Sequence, residues 1–357
     1  MKSLLVAVFS FSIIFSYNNT YAQEHHPATS NVTEEKFDPA KEIMGHIRDA
    51  YEFHFFTLGH FHATINLPVI LYSPQKGWSV FSSSRFGHEG ENTYDGYKLE
   101  NGNIVPVEAG VKVYDFSLTK NVVQMFIALI VLVLLMTGIA RKYKKGPGVT
   151  SAPSGWQGAI EPVITFVRDD VAKANLGQRY ERYMPYLLTV FFFILINNLF
   201  GLIPGSANVT GNVAFTIVMG VISFIIILIS SNKHYWGHII NPKVPWAIKP
   251  ILIPVEILGV FTKPFALIVR LFANMVAGHI IILSFVSLIF IFGGMSKVAG
   301  WSFSPISVLF TVFIYLIEIL IAFIQAFIFT NLTAIFIGQA FEGSHHDADG
   351  HDDGVIA

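Results

Sequence analysis

The chain has 357 residues, 53% of them hydrophobic and only 13% charged, with 33 Phe and a positive mean hydropathy. This composition excludes an ordinary soluble globule and calls for an integral membrane protein. A net charge of −1 gives no electrostatic footprint for nucleic acid, and with no cysteine the chain has no disulfide, thiolate metal site or cysteine nucleophile.

Residues 1–22 begin with Lys2, continue in an apolar run from Leu4 to Phe15 and end in Thr20, Tyr21 and Ala22. The run is short for a span, so the pattern predicts a secretory signal peptide with the mature chain starting outside, near Gln23. Residues 23–117 are polar, with scattered Pro, Gly and Asn, and are expected to form an extracytoplasmic segment with strands near Phe53–Leu71 and Tyr97–Val113. His25, His26, His46, His54, His60 and His62 fall at irregular spacing, which favours surface and packing histidines over a metal site.

The membrane domain is expected over 118–341. Asn121–Ala140, Tyr186–Ile203 and Asn212–Ser230 are apolar runs of helix length. Lys plus Arg number 8 in 141–185 and 3 in 231–249, against 0 in 204–212 and 1 in 293–304. By the positive-inside rule the basic connections face the cytoplasm, in agreement with the signal peptide. Within the first of them, GAIEPVITFVRDDVAKANLG (158–177) reads as a short amphipathic helix at the membrane surface.

Two further apolar segments, Pro250–Phe292 and Ser304–Phe341, are too long for a perpendicular crossing of a core about 30 Å thick. They predict a long slanted hairpin turning near Gly293–Trp301, with Pro254 and Pro264 as places to bend. At 100° per residue, Ala266, Arg270, Ala273, Asn274 and Ala277 share one helix face, a strip of small residues that lets another helix come close. His279 points to the opposite side, and on the second helix Glu318 and Gln325 share a face two turns apart. Antiparallel pairing at a constant index sum brings Arg270 level with Gln325 and His279 level with Glu318. An isolated Asn, Gln or His in a membrane helix is often packing glue. A mid-helix arginine costs about 2.5 to 3.5 kcal/mol on insertion scales, which makes a purely structural anchor a poor account of Arg270. The set together reads as an ion pathway.

The runs EILGVFTKPFALIVRLFANMVAGH (256–279) and YLIEILIAFIQAFIFTNLTAIF (315–336), with NNLFGLIPG (197–205) and the FVRDD helix, closely resemble subunit a of F-type ATP synthases over about residues 115–341. The resemblance implies an all-α membrane fold of about five membrane-embedded helices, and a stator subunit that carries protons through two offset half-channels. It implies that Arg270 faces the rotating c-ring with Asn274 and Gln325 flanking it. His279 and Glu318 would line the half-channel open to the outside, and Glu256 would lie toward the other. Ala266 and Gly201 stand where some relatives carry a hydroxyl or a carboxylate, and residues 23–115 lie outside the family pattern. The implied partners are c-ring subunits, peripheral-stalk b subunits, the rest of the complex and membrane lipid, with no cofactor and no metal. The implied location is a bacterial inner membrane with the C-terminus cytoplasmic. The His- and Asp-rich tail of residues 342–357, with HHDADGHDD at 345–353, leaves a divalent-metal transporter or sensor as the alternative, one that gives no account of the Arg270 and Gln325 register.

Overall fold

The computed structural model describes residues 49–58, 61–87, 92–100, 102–108, 110–145, 155–203, 205–242 and 244–341. The expected signal peptide, His25, His26, His46, His60 and the tail of 342–357 lie outside the described residues. The chain divides into two compact units, the first containing residues 51–117 and the second residues 49–50 and 118–341.

The first unit is built of short strands. An antiparallel hairpin pairs β1 (Glu52–Leu58) with β2 (Phe61–Asn66), and a second pairs β5 (Tyr97–Glu100) with β6 (Asn103–Pro106). Between them in sequence, β3 (Pro68–Ser73) is the centre of a sheet ordered β4-β3-β7, with β4 at Gly77–Ser82 and β7 at Tyr114–Asp115. Strand alternation sorts β3 into two faces. Val69 and Leu71 point into a core with Tyr51, Phe86, Tyr97 and Ile104, while Tyr72 points out, with Trp78 5.0 Å away between ring centroids. The strands foreseen at 53–71 and 97–113 are present, and β4 with the 3-10 turn Ser83–Phe86 is additional. A hydrogen bond from Lys76 first, and one from Ser79 second, hold the Asp95 carboxyl below the usual carboxylate range.

Among the described residues, five helices of the second unit are long and apolar enough to cross a membrane. α1 spans Lys120–Lys144 and ends in Arg141, Lys142 and Lys144, cations that suit the negative end of a helix dipole. α2 spans Trp156–Phe166 and passes through a π-helical turn, Val167–Lys173, toward α3, Tyr180–Gly201. α4 is Val213–Ser230, capped by the Asn212 side chain, which accepts from the Ala214 amide at 2.9 Å. α5, Lys233–Ile240, is a short helix in a connection that carried no helical signal. The hairpin is α6, Lys249–Met295, and α7, Lys297–Phe341. At 47 and 45 residues these run about 70 and 68 Å. The turn is tighter than the expected nine residues: only Ser296, in extended conformation, separates the helices. α6 is assigned as one helix through Pro254 and Pro264, which a packed membrane helix tolerates.

α3 is the hub, with Phe191 and Ile194 fully buried against Ala128 and Leu132 of α1, Leu267 and Leu271 of α6, and Ala326 and Phe329 of α7. The amphipathic segment at 158–177 is helical as expected, and its apolar side is packed: Val171, Ala172 and Leu176 sit against Ala334 and Ile337 of α7. Asn175 donates to Asn331 Oδ1 at 2.8 Å, and Gly338 lies so close that an added Cβ would be 2.3 Å from the Asn175 carbonyl oxygen. Many Ile, Val, Leu and Phe side chains on the outer faces of α1, α4, α6 and α7 are exposed, as lipid-facing helices require.

Candidate functional site

Arg270 lies on an exposed face of α6 together with Ala266, Ala273, Asn274 and Ala277, the face read from the 3.6-residue period. Among the described residues its guanidinium makes no hydrogen bond or ion pair. Gln325 on α7 is 3% exposed, and its Oε1 accepts from Asn274 Nδ2 at 2.9 Å. The side chain that Gln325 holds is therefore Asn274, one turn beyond the expected Arg270. A guanidinium left free on an apolar helix face leaves its full charge available to whatever packs there.

Glu318 is buried, 5% exposed, on the inner side of α7. Its carboxylate fills the space left by Gly278, where a Cβ would come within 1.9 Å of Oε1. Its Oε2 has no hydrogen-bond partner among the described residues. His279 is the next residue of α6, level with Glu318 as the register foresaw, yet its ring turns toward α3. Nδ1 lies 3.1 Å from the Met275 carbonyl oxygen and Nε2 lies 3.0 Å from the Gly201 carbonyl oxygen. The structure gives the two side chains no hydrogen bond to each other, so the shared level does not bring them into direct contact. A constant index sum sets the level of two residues, but the 100° step from Gly278 to His279 sets direction. A neutral imidazole can donate to one of its two carbonyls and the charged form to both. Proton uptake by this ring thus adds a hydrogen bond.

Glu256 is half-buried on α6, 14 residues before Arg270 and about 21 Å from it along the axis. His279 lies nine residues beyond Arg270, so the two titratable groups flank the arginine at different depths. Burial first, and the Glu256 charge second, push the Tyr235 phenol of α5 above its ordinary range. Nearby, Lys263 donates to Gln339 Oε1 at 2.9 Å and lies over the Phe336 ring at 5.1 Å.

Other residues shape the site without a role having been foreseen for them. Gly278 makes room for Glu318, and the Gly201 carbonyl orients His279. Asn198, 1% exposed on α3, donates to the Ala322 carbonyl of α7 at 3.2 Å and ties the two helices behind the site. The Asn197 and Asn198 pair inside an apolar run was the available clue. Gln124 of α1 acts similarly: its Oε1 accepts from the Ala207 amide at 2.7 Å and its Nε2 donates to the carbonyl of the same residue.

The family model for the ATP synthase A chain matches residues 122–338, and a model for a domain of unknown function matches residues 42–124. ATP synthase subunit a of Chloroherpeton thalassium is 46% identical over 245 residues, which cover 67% of this chain and 71% of that protein. Subunit a of Chlorobium phaeobacteroides strain BS1 is 46% identical over 242 residues, 66% and 70% of the two chains. That of Myxococcus xanthus is 41% identical over 247 residues, 67% and 78%. A multi-pass membrane domain built on a long polar-cored hairpin, matched across that domain by this family, establishes that the chain belongs to the ATP synthase A chain family, a proton-translocating stator subunit of an F-type ATP synthase.

Proposed function

We propose that the exposed Arg270 face of α6 meets the c-ring of the synthase, and that Glu318 with His279 on one side and Glu256 on the other serve the two half-channels. The observation that carries this reading is the free guanidinium on a strip of small residues. Its charge has no counter-ion among the described residues, and Ala266, Ala273 and Ala277 leave room for a partner helix to approach.

Arginine stays charged in proteins and so acts as a fixed charge, never as a proton carrier. At about 4 Å and an effective dielectric near 20 it favours an ionised carboxylate by about 4 kcal/mol, roughly three pK units. That suffices to release a proton from a carboxylic acid brought opposite it on the ring. The same charge opposes direct passage of a proton between the half-channels, so transport proceeds by ring rotation. The buried Glu318 carboxylate and the two-carbonyl cradle of His279 supply groups that take up and give back protons on the outer side. Membrane potential contributes roughly 2.3 kcal/mol per charge per 100 mV to the driving force.

The basic residues at the end of α1 and the start of α3 support a connection in the cytoplasm of a bacterial inner membrane, with residues 23–117 outside and the 342–357 tail inside. Peripheral-stalk b subunits complete the stator. A single cysteine at Ala277 tests the ring-facing surface. In the assembled complex it is expected to form a disulfide with a cysteine placed near the c-subunit carboxylate, whereas one at Trp156, on α2, is expected not to. Absence of the first cross-link in an assembled, active complex would refute the proposed face.

A further inference from the structure

A cleft of about 220 Å³ opens where the start of α3 meets the end of α4, lined by Arg179, Arg182, Tyr183, Ile226, Ile229 and the Ser230–Asn232 turn. It is remote in sequence and level from Arg270. Its arginines are arranged in an unusual way. Tyr183 and Phe341 stack with ring centroids 6.1 Å apart and planes within 13°. The Arg179 guanidinium lies over the Phe341 ring at 5.0 Å, and that of Arg182 lies over Tyr183 at 5.9 Å.

Stacking engages the face of a guanidinium and leaves the N–H donors on its edge free. Among the described residues neither arginine forms an ion pair or donates a hydrogen bond. The carboxylate between them in sequence, Glu181, is turned to the Tyr180 hydroxyl at 3.4 Å. The polar groups of the turn are already committed: Ser230 Oγ to the Ile226 carbonyl, Ser231 Oγ to the Leu228 carbonyl and Asn232 Nδ2 to the Phe341 carbonyl. What remains uncommitted is positive charge with fork-shaped donors, next to an apolar strip of α4 on which Ile225 and Ile229 are 47% and 75% exposed.

We infer that this cleft is a binding site for an anionic phospholipid, with Arg179 and Arg182 holding the phosphate and the acyl chain lying along Ile225 and Ile229. Planar donor forks match phosphate oxygens, and basic pockets between membrane helices suit anionic headgroups. A free phosphate would use the arginines alone, and the exposed isoleucines are what select a lipid. The inference rests on the membrane-spanning placement of α3 and α4 and is independent of the roles proposed for Arg270, Glu318 and His279.

The test is native mass spectrometry of the full chain in mild detergent, titrated with phosphatidylglycerol, phosphatidylcholine or inorganic phosphate. One phosphatidylglycerol per chain is expected to bind roughly tenfold or more tightly than phosphatidylcholine, and Arg179→Gln with Arg182→Gln is expected to remove most of that preference. Millimolar inorganic phosphate is expected not to displace the lipid. Ile229→Asn, in the last turn of α4, is expected to weaken lipid binding with both arginines intact. Equal binding of the two lipids, unchanged binding by the double arginine variant, unchanged binding by Ile229→Asn, or displacement by inorganic phosphate would each overturn the assignment. Proton pumping by the assembled complex reports on Arg270 separately.

Discussion

Replacing Gly278 by alanine tests whether the position of the Glu318 carboxylate matters to transport. The new Cβ would lie 1.9 Å from Oε1, 2.9 Å from Cδ and 3.3 Å from Cγ of Glu318, so the whole end of the side chain must move. Regaining ordinary contact near 3.5 Å displaces the oxygen by roughly 1.5 Å. The helix itself does not suffer, since alanine is favoured over glycine in a helix interior by about 1 kcal/mol. Proton transfer needs heavy atoms within about 2.6–3.2 Å of each other, so a shift of this size is large enough to disrupt any transfer contact the carboxylate makes. ATP-driven proton pumping in inverted vesicles is expected to fall at least about tenfold while subunit assembly on native gels is unchanged. Adding Glu318→Asp shortens the side chain by one methylene and relieves the overlap. The double variant should therefore lose less than the two single losses combined. Wild-type pumping by Gly278→Ala, or strictly additive losses in the cycle, would show that the position of the Glu318 carboxylate does not matter to transport.

Gln124→Leu removes both partners of the buried Ala207 backbone and is expected to destabilise the membrane domain by about 1–3 kcal/mol, read as a lower midpoint in thermal unfolding in detergent. Gly338→Ala forces a Cβ to within 2.3 Å of a backbone carbonyl oxygen, which cannot rotate away. A loss of about 1–3 kcal/mol is expected, read as a lower midpoint in thermal unfolding in detergent. The native chain contains no cysteine. Val298→Cys, 77% exposed beside the hairpin turn, is expected to react with impermeant thiol reagents from outside the cell, and Lys145→Cys only from inside; reversed labelling would invert the proposed half-channels.

The helices were legible because apolar length is a strong signal, and the Arg270 face was legible because helical period alone determines it. Helix ends were less so. α1 and α3 run several residues past their apolar stretches into charged turns, which hydropathy does not count and the backbone hydrogen-bond ladder does. The hairpin register placed His279 and Glu318 at one level correctly, but level carries no information about azimuth. The ring of His279 is turned by a carbonyl of α3, a contact 78 residues away in sequence. Gly278 was invisible for a related reason: a missing side chain signals nothing until its neighbour across the hairpin is known. In the first unit, β4 was missed because its exposed Trp78 and Val80 make the alternation depend on which face is covered.

In the proposed mechanism Arg270 acts as an unpaired fixed charge on the ring-facing side of α6. Arg270→Ala leaves the small-residue strip and the Asn274–Gln325 hydrogen bond in place, so assembly is expected to persist. ATP-driven proton pumping by the assembled complex in inverted vesicles is the measurement. No pumping is expected, with severe impairment in Arg270→Lys, which keeps a charge and loses the planar fork. Coupled pumping at the normal rate by assembled Arg270→Ala would contradict the proposed mechanism.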